Sequence, residues 1–243
     1  MLFRSQIQHA EQLLYEIAET GRYGGGFETF ETALDNAIDR AAQAYQSDGR
    51  LSGLATGLKD LDAKMGGLQP TDLIIIAGRP GMGKTSLATN IAFNVASAYD
   101  ATEQVDGSPR PVAGGIVAFF SLEMSSEQLA TRVLSEQAEV PSSSIRRGDI
   151  GETDFGRLLD CRQKMRRLPL FIDQTGALSI AQVAARARRL KRQRGLHLIV
   201  VDYIQLMQGR SQRATQNRVQ EITEITTGLK ALAKELNVPV VAL

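Results

Sequence analysis

AGRPGMGKTSLATNIA, residues 77–92, follows the apolar run Leu73-Ile74-Ile75-Ile76 and passes without a break into a helical pattern. Gly78-Arg79-Pro80-Gly81-Met82-Gly83-Lys84-Thr85 fits the phosphate-loop spacing, in the setting the motif requires, with a strand before it and a helix after it. Glycines let the backbone turn so that successive N–H groups point inward, which makes an anion site clear of side chains. A helix starting at Lys84 adds the positive end of its dipole, and Lys84 can reach the β- and γ-phosphates. The Thr85 hydroxyl is a hard oxygen suited to Mg²⁺. ATP-binding residues are therefore expected at Gly78, Arg79, Pro80, Gly81, Met82, Gly83, Lys84, Thr85 and Ser86, with ATP and Mg²⁺ as ligands.

Outward from this stretch, apolar runs alternate with helical patterns. DLIIIA precedes a helix over Thr85 to Ala98; GIVAFF precedes helices over Ser126 to Ala138 and Asp154 to Arg167. LPLFID then leads into Ser179 to Arg194, LHLIVVD into a polar loop and Val219 to Glu235, and VPVVAL follows. This βα succession predicts an α/β fold with a mostly parallel central sheet flanked by helices. Runs this apolar predict strands buried on both faces, and ligands in such sheets bind at the carboxyl ends of the strands. Asp100 to Gly114 reads as a surface loop.

Hydrolysis needs carboxylates at those strand ends. Asp202 terminates Leu198-Ile199-Val200-Val201, where it can complete the metal shell beside Thr85. Glu123 stands just past Ile116-Val117-Ala118-Phe119-Phe120, either as an acid capping the next helix or as the general base facing the terminal phosphate, and the phosphate loop in the same sheet favours the base. The segment Gln208 to Arg218 is basic, free of acids and long for an α/β connection. Arg210, Arg213 and Arg218 in it read either as a grip on a phosphate backbone or as a disordered tract.

With 28 Lys and Arg against 27 Asp and Glu among 243 residues, the net charge of +1 gives no global field toward nucleic acid or membrane, so any such surface is local. Apolar residues make up 43%, enough for a full core, and no run approaches the roughly 20 residues of a membrane span. A cytoplasmic protein is expected. The single Cys161 excludes internal disulfides and reads as a small buried hydrophobe; His9 and His197 lack metal-ligand spacing. Arg186 to Arg192 is charged and reads either as a nucleic-acid patch or as a solvated helix face; the stripe of Ile180, Val183, Ala184, Ala187 and Leu190 beneath it favours the solvated face. Ahead of the α/β region, Ile7 to Glu19 carries a helical apolar stripe that docks either on its own domain or on a neighbouring subunit, followed by a glycine-rich break. A second helical pattern runs from Glu28 to Gln46. Met1 to Ser5 matches what a common sequencing-adapter tail would encode and is left out of the fold reading.

Together these motifs resemble the DnaB-type replicative DNA helicases, within the RecA-like ATPases. AGRPGMGKTSLATNIA resembles that family's phosphate loop, FFSLEMSSEQLATRVLSEQAEV its motif with the catalytic glutamate, and LIVVDYIQLMQG its Walker B strand. LSGLATGLKDLDAKMGGLQPTDLIIIAGRP and NRVQEITEITTGLKALAKELNVPVVAL resemble the flanking segments, so the similarity runs from about Ile7 to Leu243. The resemblance implies a linker region over 1–50, whose helix at about 7–19 docks on the next subunit of a homo-hexameric ring, and a RecA-like ATPase domain over 51–243. It implies Lys84 and Glu123 as catalytic groups, Thr85 and Asp202 at the metal, and the basic loop at a channel holding single-stranded DNA. It also implies ATP-driven unwinding at a bacterial, nucleoid-associated replication fork, with primase and a helicase loader as partners of the full-length protein. The family's N-terminal domain, glutamine sensor and trans-acting arginine finger are expected outside these residues, so this chain alone is expected to bind Mg-ATP with little turnover. A recombinase or clock-type ATPase, or an assembly module without motor activity, is the alternative.

Overall fold

The apolar runs become strands of one sheet, and burial records which of them are central. The computed structural model describes residues 27–46, 51–103, 109–208 and 218–243. Contacts divide the chain into Met1–Arg50 and Leu51–Leu243. In the first unit the described element is α1 (Phe30–Gln46), on which Phe30, Leu34 and Ile38 are exposed. The helix expected over Ile7 to Glu19 lies outside the described residues.

The second unit begins with α2 (Lys59–Met65), β1 (Leu73–Ile75), α3 (Lys84–Ser97) and the pair β2 (Asp100–Glu103) and β3 (Pro109–Ala113). Next come β4 (Val117–Ser121), α4 (Ser126–Ala138), α5 (Ser142–Arg147), α6 (Glu152–Met165), β5 (Leu170–Asp173) and α7 (Ile180–Arg194). The last elements are β6 (Leu198–Asp202), a 3₁₀ turn at Ile204–Leu206, α8 (Arg218–Leu236) and β7 (Val240–Ala242). The main sheet has the order β1-β7-β6-β4-β5 with every pairing parallel. Its three inner strands are buried at every residue, whereas the edge strands β1 and β5 are not, which corrects the expectation that all are covered on both faces.

Alternation within the inner strands feeds two core layers. Val117, Phe119, Leu198 and Val200 join Ala88, Ile91, Val95 and Leu129 of α3 and α4 on one face. Ala118, Phe120, Ile199 and Val201 join Val183, Ala187, Leu229 and Leu232 of α7 and α8 on the other. Truncating a side chain such as Leu229 to alanine in packing of this kind costs about 2–5 kcal/mol. A smaller cluster of Ala138, Val140 and Leu158 holds α4 to α6, and Cys161 packs against it half-buried rather than fully buried as expected.

Asp100 to Gly114, which reads as a loop in the sequence, contains an antiparallel pair instead, with Ala101 opposite Pro111 and Glu103 opposite Pro109. In a two-stranded ribbon every second N–H points away from the partner, so prolines fit and strand composition is not required. The short α2 and α5 also escape a periodicity reading. The approach to the phosphate loop is pinned by Asp62, whose carboxylate accepts from the Thr56 and Gly57 N–H groups and the Thr56 hydroxyl, while Asn94 of α3 donates to the Thr56 carbonyl at 3.0 Å. Arg186 bonds Asp173, and Arg188 bonds Glu235, so the charged face of α7 is laced to its neighbours. His197 is half-buried, its Nδ1 accepting the Ile116 N–H at 2.9 Å, a structural role.

Candidate nucleotide site

Gly81 and Gly83 take φ values of 78° and 81°, a region that side chains strain to enter, and a Cβ built on either would meet open space within 4 Å. The turn is thus shaped by backbone alone and leaves a concavity above the start of α3, whose N-cap is Gly83. Lys84 folds back over it, Nζ donating to the carbonyls of Gly78 at 2.9 Å and Arg79 at 3.2 Å. Held this way, the ammonium spans the mouth of the loop, where the dipole and N–H groups of α3 already favour an anion.

Thr85 and Asp202, 117 residues apart in the chain, meet beneath the loop, with Thr85 Oγ1 at 3.4 Å from Asp202 Oδ1. Asp202 is 1% exposed, and its Oδ2 is buried with no partner among the described residues. Burial pushes its pKa up, the Thr85 hydrogen bond opposes this, Glu123 adds to the rise, and Arg132 and Lys84 work against it. A buried carboxylate oxygen without a donor, beside a hydroxyl, is the hard-oxygen donor set of Mg²⁺, so the residues fit that ion.

The carboxyl ends of the strands are tied together past their last ladder bonds. Leu122 N–H donates to the Asp202 carbonyl at 2.7 Å, Ile204 N–H to Leu243 at 2.9 Å, and Ile76 N–H to Ala242 at 2.8 Å. On this rim Glu123 stands just past β4, exposed, its carboxylate making no hydrogen bond or ion pair among the described residues. A cavity of about 650 Å³ gathers Gly81, Lys84, Thr85, Glu123, Arg132 and Asp202 in its wall. Gly78, Pro80, Gly83 and Ser86 line it as well, whereas Arg79 and Met82 do not. Met82 is 74% exposed.

Arg132 is the residue that sequence reasoning misses. Its Nη1 lies 3.3 Å from Ser86 Oγ, and it makes no ion pair among the described residues, so a cation of α4 faces the phosphate cavity uncommitted to a carboxylate. In SEQLATRVLSEQA it looks like any solvated helix charge; only the packing of α4 beside α3 gives it this position.

Arg210 and Arg213 lie outside the described residues. Arg218 opens α8 rather than extending a loop, and its guanidinium is engaged by Glu221 at 2.5 Å and by the Gln205 carbonyl. Gln208, where the basic segment starts, is anchored by its N–H to the Leu178 carbonyl at 3.1 Å.

The all-parallel sheet, the glycine loop and the paired Thr85 and Asp202 define a RecA-like ATPase fold of the phosphate-loop class. The DnaB-like helicase C-terminal domain family model matches residues 53–243, and the chain belongs to that family. It is 44% identical over 240 residues to the replicative DNA helicase DnaB of Rickettsia conorii, covering 99% of this chain and 47% of that protein. It is 37% identical over 237 residues to the DnaB of Geobacillus stearothermophilus, covering 98% and 49%. A solved DnaB-like replicative helicase, described with its interactions with primase, superposes with a TM-score of 0.69 at 26% identity, covering 98% of this chain and 52% of that one. The chain therefore spans about half the length of the curated relatives it matches.

Proposed function

We propose that this chain is the ATPase part of a replicative DNA helicase that couples ATP hydrolysis to movement along single-stranded DNA and separation of the duplex. The observation that carries the reading is the meeting of Thr85 with a buried Asp202, one of whose carboxylate oxygens has no partner among the described residues, beneath a preformed phosphate cradle. Family membership favours a helicase over strand exchange or a passive assembly module.

In this reading the backbone N–H groups of residues 81–85 and the Lys84 ammonium hold the β- and γ-phosphates, and Arg132 adds positive charge from the α4 side. Thr85 and Asp202 hold Mg²⁺, which when bound supplies charge neutralisation on the same phosphates. Glu123 takes a proton from the attacking water as the water oxygen bonds the terminal phosphorus, and the bond from that phosphorus to the bridging oxygen breaks to leave ADP and phosphate. Repulsion between Glu123 and Asp202 favours keeping a cation between them. Arg210 and Arg213 grip the DNA backbone. Arg218, tied to Glu221 and Gln205, is the weaker member of that set. The ring of six through the Ile7 to Glu19 helix, primase and loader contacts, and a cytoplasmic, nucleoid-associated location belong to the same proposal.

The test is ATP-dependent strand displacement by the intact protein, with DNA affinity measured across a salt series. Arg210→Ala with Arg213→Ala is expected to flatten the salt slope by about 1.4, from about 0.7 for each phosphate no longer neutralised on a single strand. An unchanged slope removes the loop from the DNA interface, and absence of ATP-dependent displacement by the unmodified protein refutes the helicase reading.

A further inference from the structure

Glu123 sits on a short connection between β4 and α4, and a general base is useful only while that connection stays put. Four contacts fix it. Ser121 Oγ, on a residue 1% exposed, donates to the Met124 carbonyl at 2.7 Å, and Leu122 N–H donates to the Asp202 carbonyl. Ser125 and Gln128 form a reciprocal capping box at the start of α4. The fourth is made by a side chain from the segment after β5: the Ser126 N–H donates to Gln174 Oε1 at 2.6 Å, across 48 residues. Among the described residues this is the sole side-chain hydrogen bond joining residues 122–126 to a segment beyond β4 and α4.

Gln174 is itself braced. It follows Asp173, which pairs in register with Phe120 of β4. The Asp173 carboxylate is held by Arg186 and by the Thr175 N–H at 3.0 Å, and Arg186 also donates to Thr175 Oγ1 at 2.8 Å. These bonds fix the backbone on both sides of Gln174 while its amide reaches across to α4. The Ser126 N–H is one of the orphan donors of a helix start, and in an exposed position water could satisfy it equally well. Stability alone gives little reason for a glutamine there, whereas the placement of the preceding residues does.

We propose that Gln174 is a positioning residue for Glu123, holding the β4–α4 connection at the distance from the terminal phosphate that proton transfer needs. This rests on the ATPase reading above, in which Glu123 is the base. Gln174→Leu keeps the size and removes the acceptor; Gln174→Glu restores an acceptor oxygen. ATP hydrolysis by the intact protein with single-stranded DNA is measured for both, alone and with Glu123→Gln.

Turnover of Gln174→Leu at saturating ATP is expected to fall about ten- to a hundred-fold, the scale for a reacting group displaced by about 1 Å, with KM for ATP within about two-fold. Gln174→Glu is expected to recover most of the rate. Adding Gln174→Leu to Glu123→Gln is expected to change the residual rate by less than about two-fold, because the first substitution acts through the second residue. Wild-type turnover by Gln174→Leu overturns the proposal, as does failure of Gln174→Glu to rescue, a proportional loss of ATP affinity, or a full additive loss in the double variant. If Glu123→Gln alone leaves hydrolysis unchanged, the ATPase reading of Glu123 fails first and Gln174 loses its role with it; an active parent with an unaffected Gln174→Leu sinks the positioning role alone.

Discussion

Replacing Asp202 by asparagine separates the fold from the site. One oxygen of this buried carboxylate makes a long contact to Thr85, and the other has no partner among the described residues. Its pKa is raised from 3.8, chiefly by burial. For a group whose folded-state pKa is raised, the stabilising contribution is complete below the ordinary value and is lost as pH rises through the folded-state value. Above that folded-state value the nucleotide-free protein carries an unfavourable charge at Asp202. A buried acceptor without a donor costs about 1–3 kcal/mol, and more when charged. An isosteric amide keeps the Thr85 contact and removes the charge, returning about half of that range, and about 1 kcal/mol moves Tm by about 2–4 °C in a chain of this size. By differential scanning fluorimetry without nucleotide, Asp202→Asn is expected to melt about 1–6 °C above the parent at neutral pH, the gap closing toward pH 3.8. Mg-nucleotide at about a hundred times its Kd stabilises the parent by about 2.7 kcal/mol, and most of the Mg-dependent part of that should vanish in the variant. A lower Tm without nucleotide, or an undiminished Mg-dependent shift, refutes the reasoning that Asp202 is a metal ligand whose buried charge is unfavourable until a cation offsets it.

Lys84→Ala is expected to weaken nucleotide affinity by roughly ten- to a hundred-fold, the loss of a charged hydrogen bond, and equilibrium titration with a fluorescent ATP analogue checks it; unchanged affinity places the ammonium elsewhere. Glu123→Gln should lower hydrolysis by about 10²–10⁴ while leaving affinity within about two-fold, read by single-turnover kinetics, and loss of affinity with retained turnover makes Glu123 structural. His197 has its pKa lowered, first by burial and then by Lys191, and its neutral Nδ1 accepts the Ile116 N–H. Its contribution to stability is therefore present above about 6.5 and lost as pH falls through the depressed folded-state value, so His197→Gln should flatten Tm against pH on that acidic side.

The phosphate loop is legible from the sequence because its chemistry is local: glycine freedom, a lysine and a hydroxyl in fixed order, between strand and helix. Asp202 is legible because a strand of five buried residues leaves an acid at its tip no other destination. Arg132 and Gln174 are not, since each acts through a neighbour that only packing supplies, α3 beside α4 in one case and β5 beside β4 in the other. The pairing of β2 with β3 escapes for another reason: it is made by backbone and does not require strand-forming composition. Arg218 reads as loop because its basic neighbours set the pattern, while its bonds to Glu221 and Gln205 depend on where α8 starts.

If the site hydrolyses ATP as proposed, the ties along the sheet's carboxyl rim bear on how work leaves it. Asp202 to Leu122, Leu243 to Ile204 and Ala242 to Ile76 are backbone bonds between neighbouring strand ends, so the rim resists shear much as a plate does. A force applied at Thr85 or Asp202 is then shared by all the inner strands rather than bending one. Displacement produced by exchange of ATP for ADP would leave the plate as a rotation of the whole unit, or through the connections around its border. Amide exchange offers a direct view of this: the rim N–H groups of Leu122, Ile204 and Ile76 should stay equally protected in both nucleotide states while the border segments change.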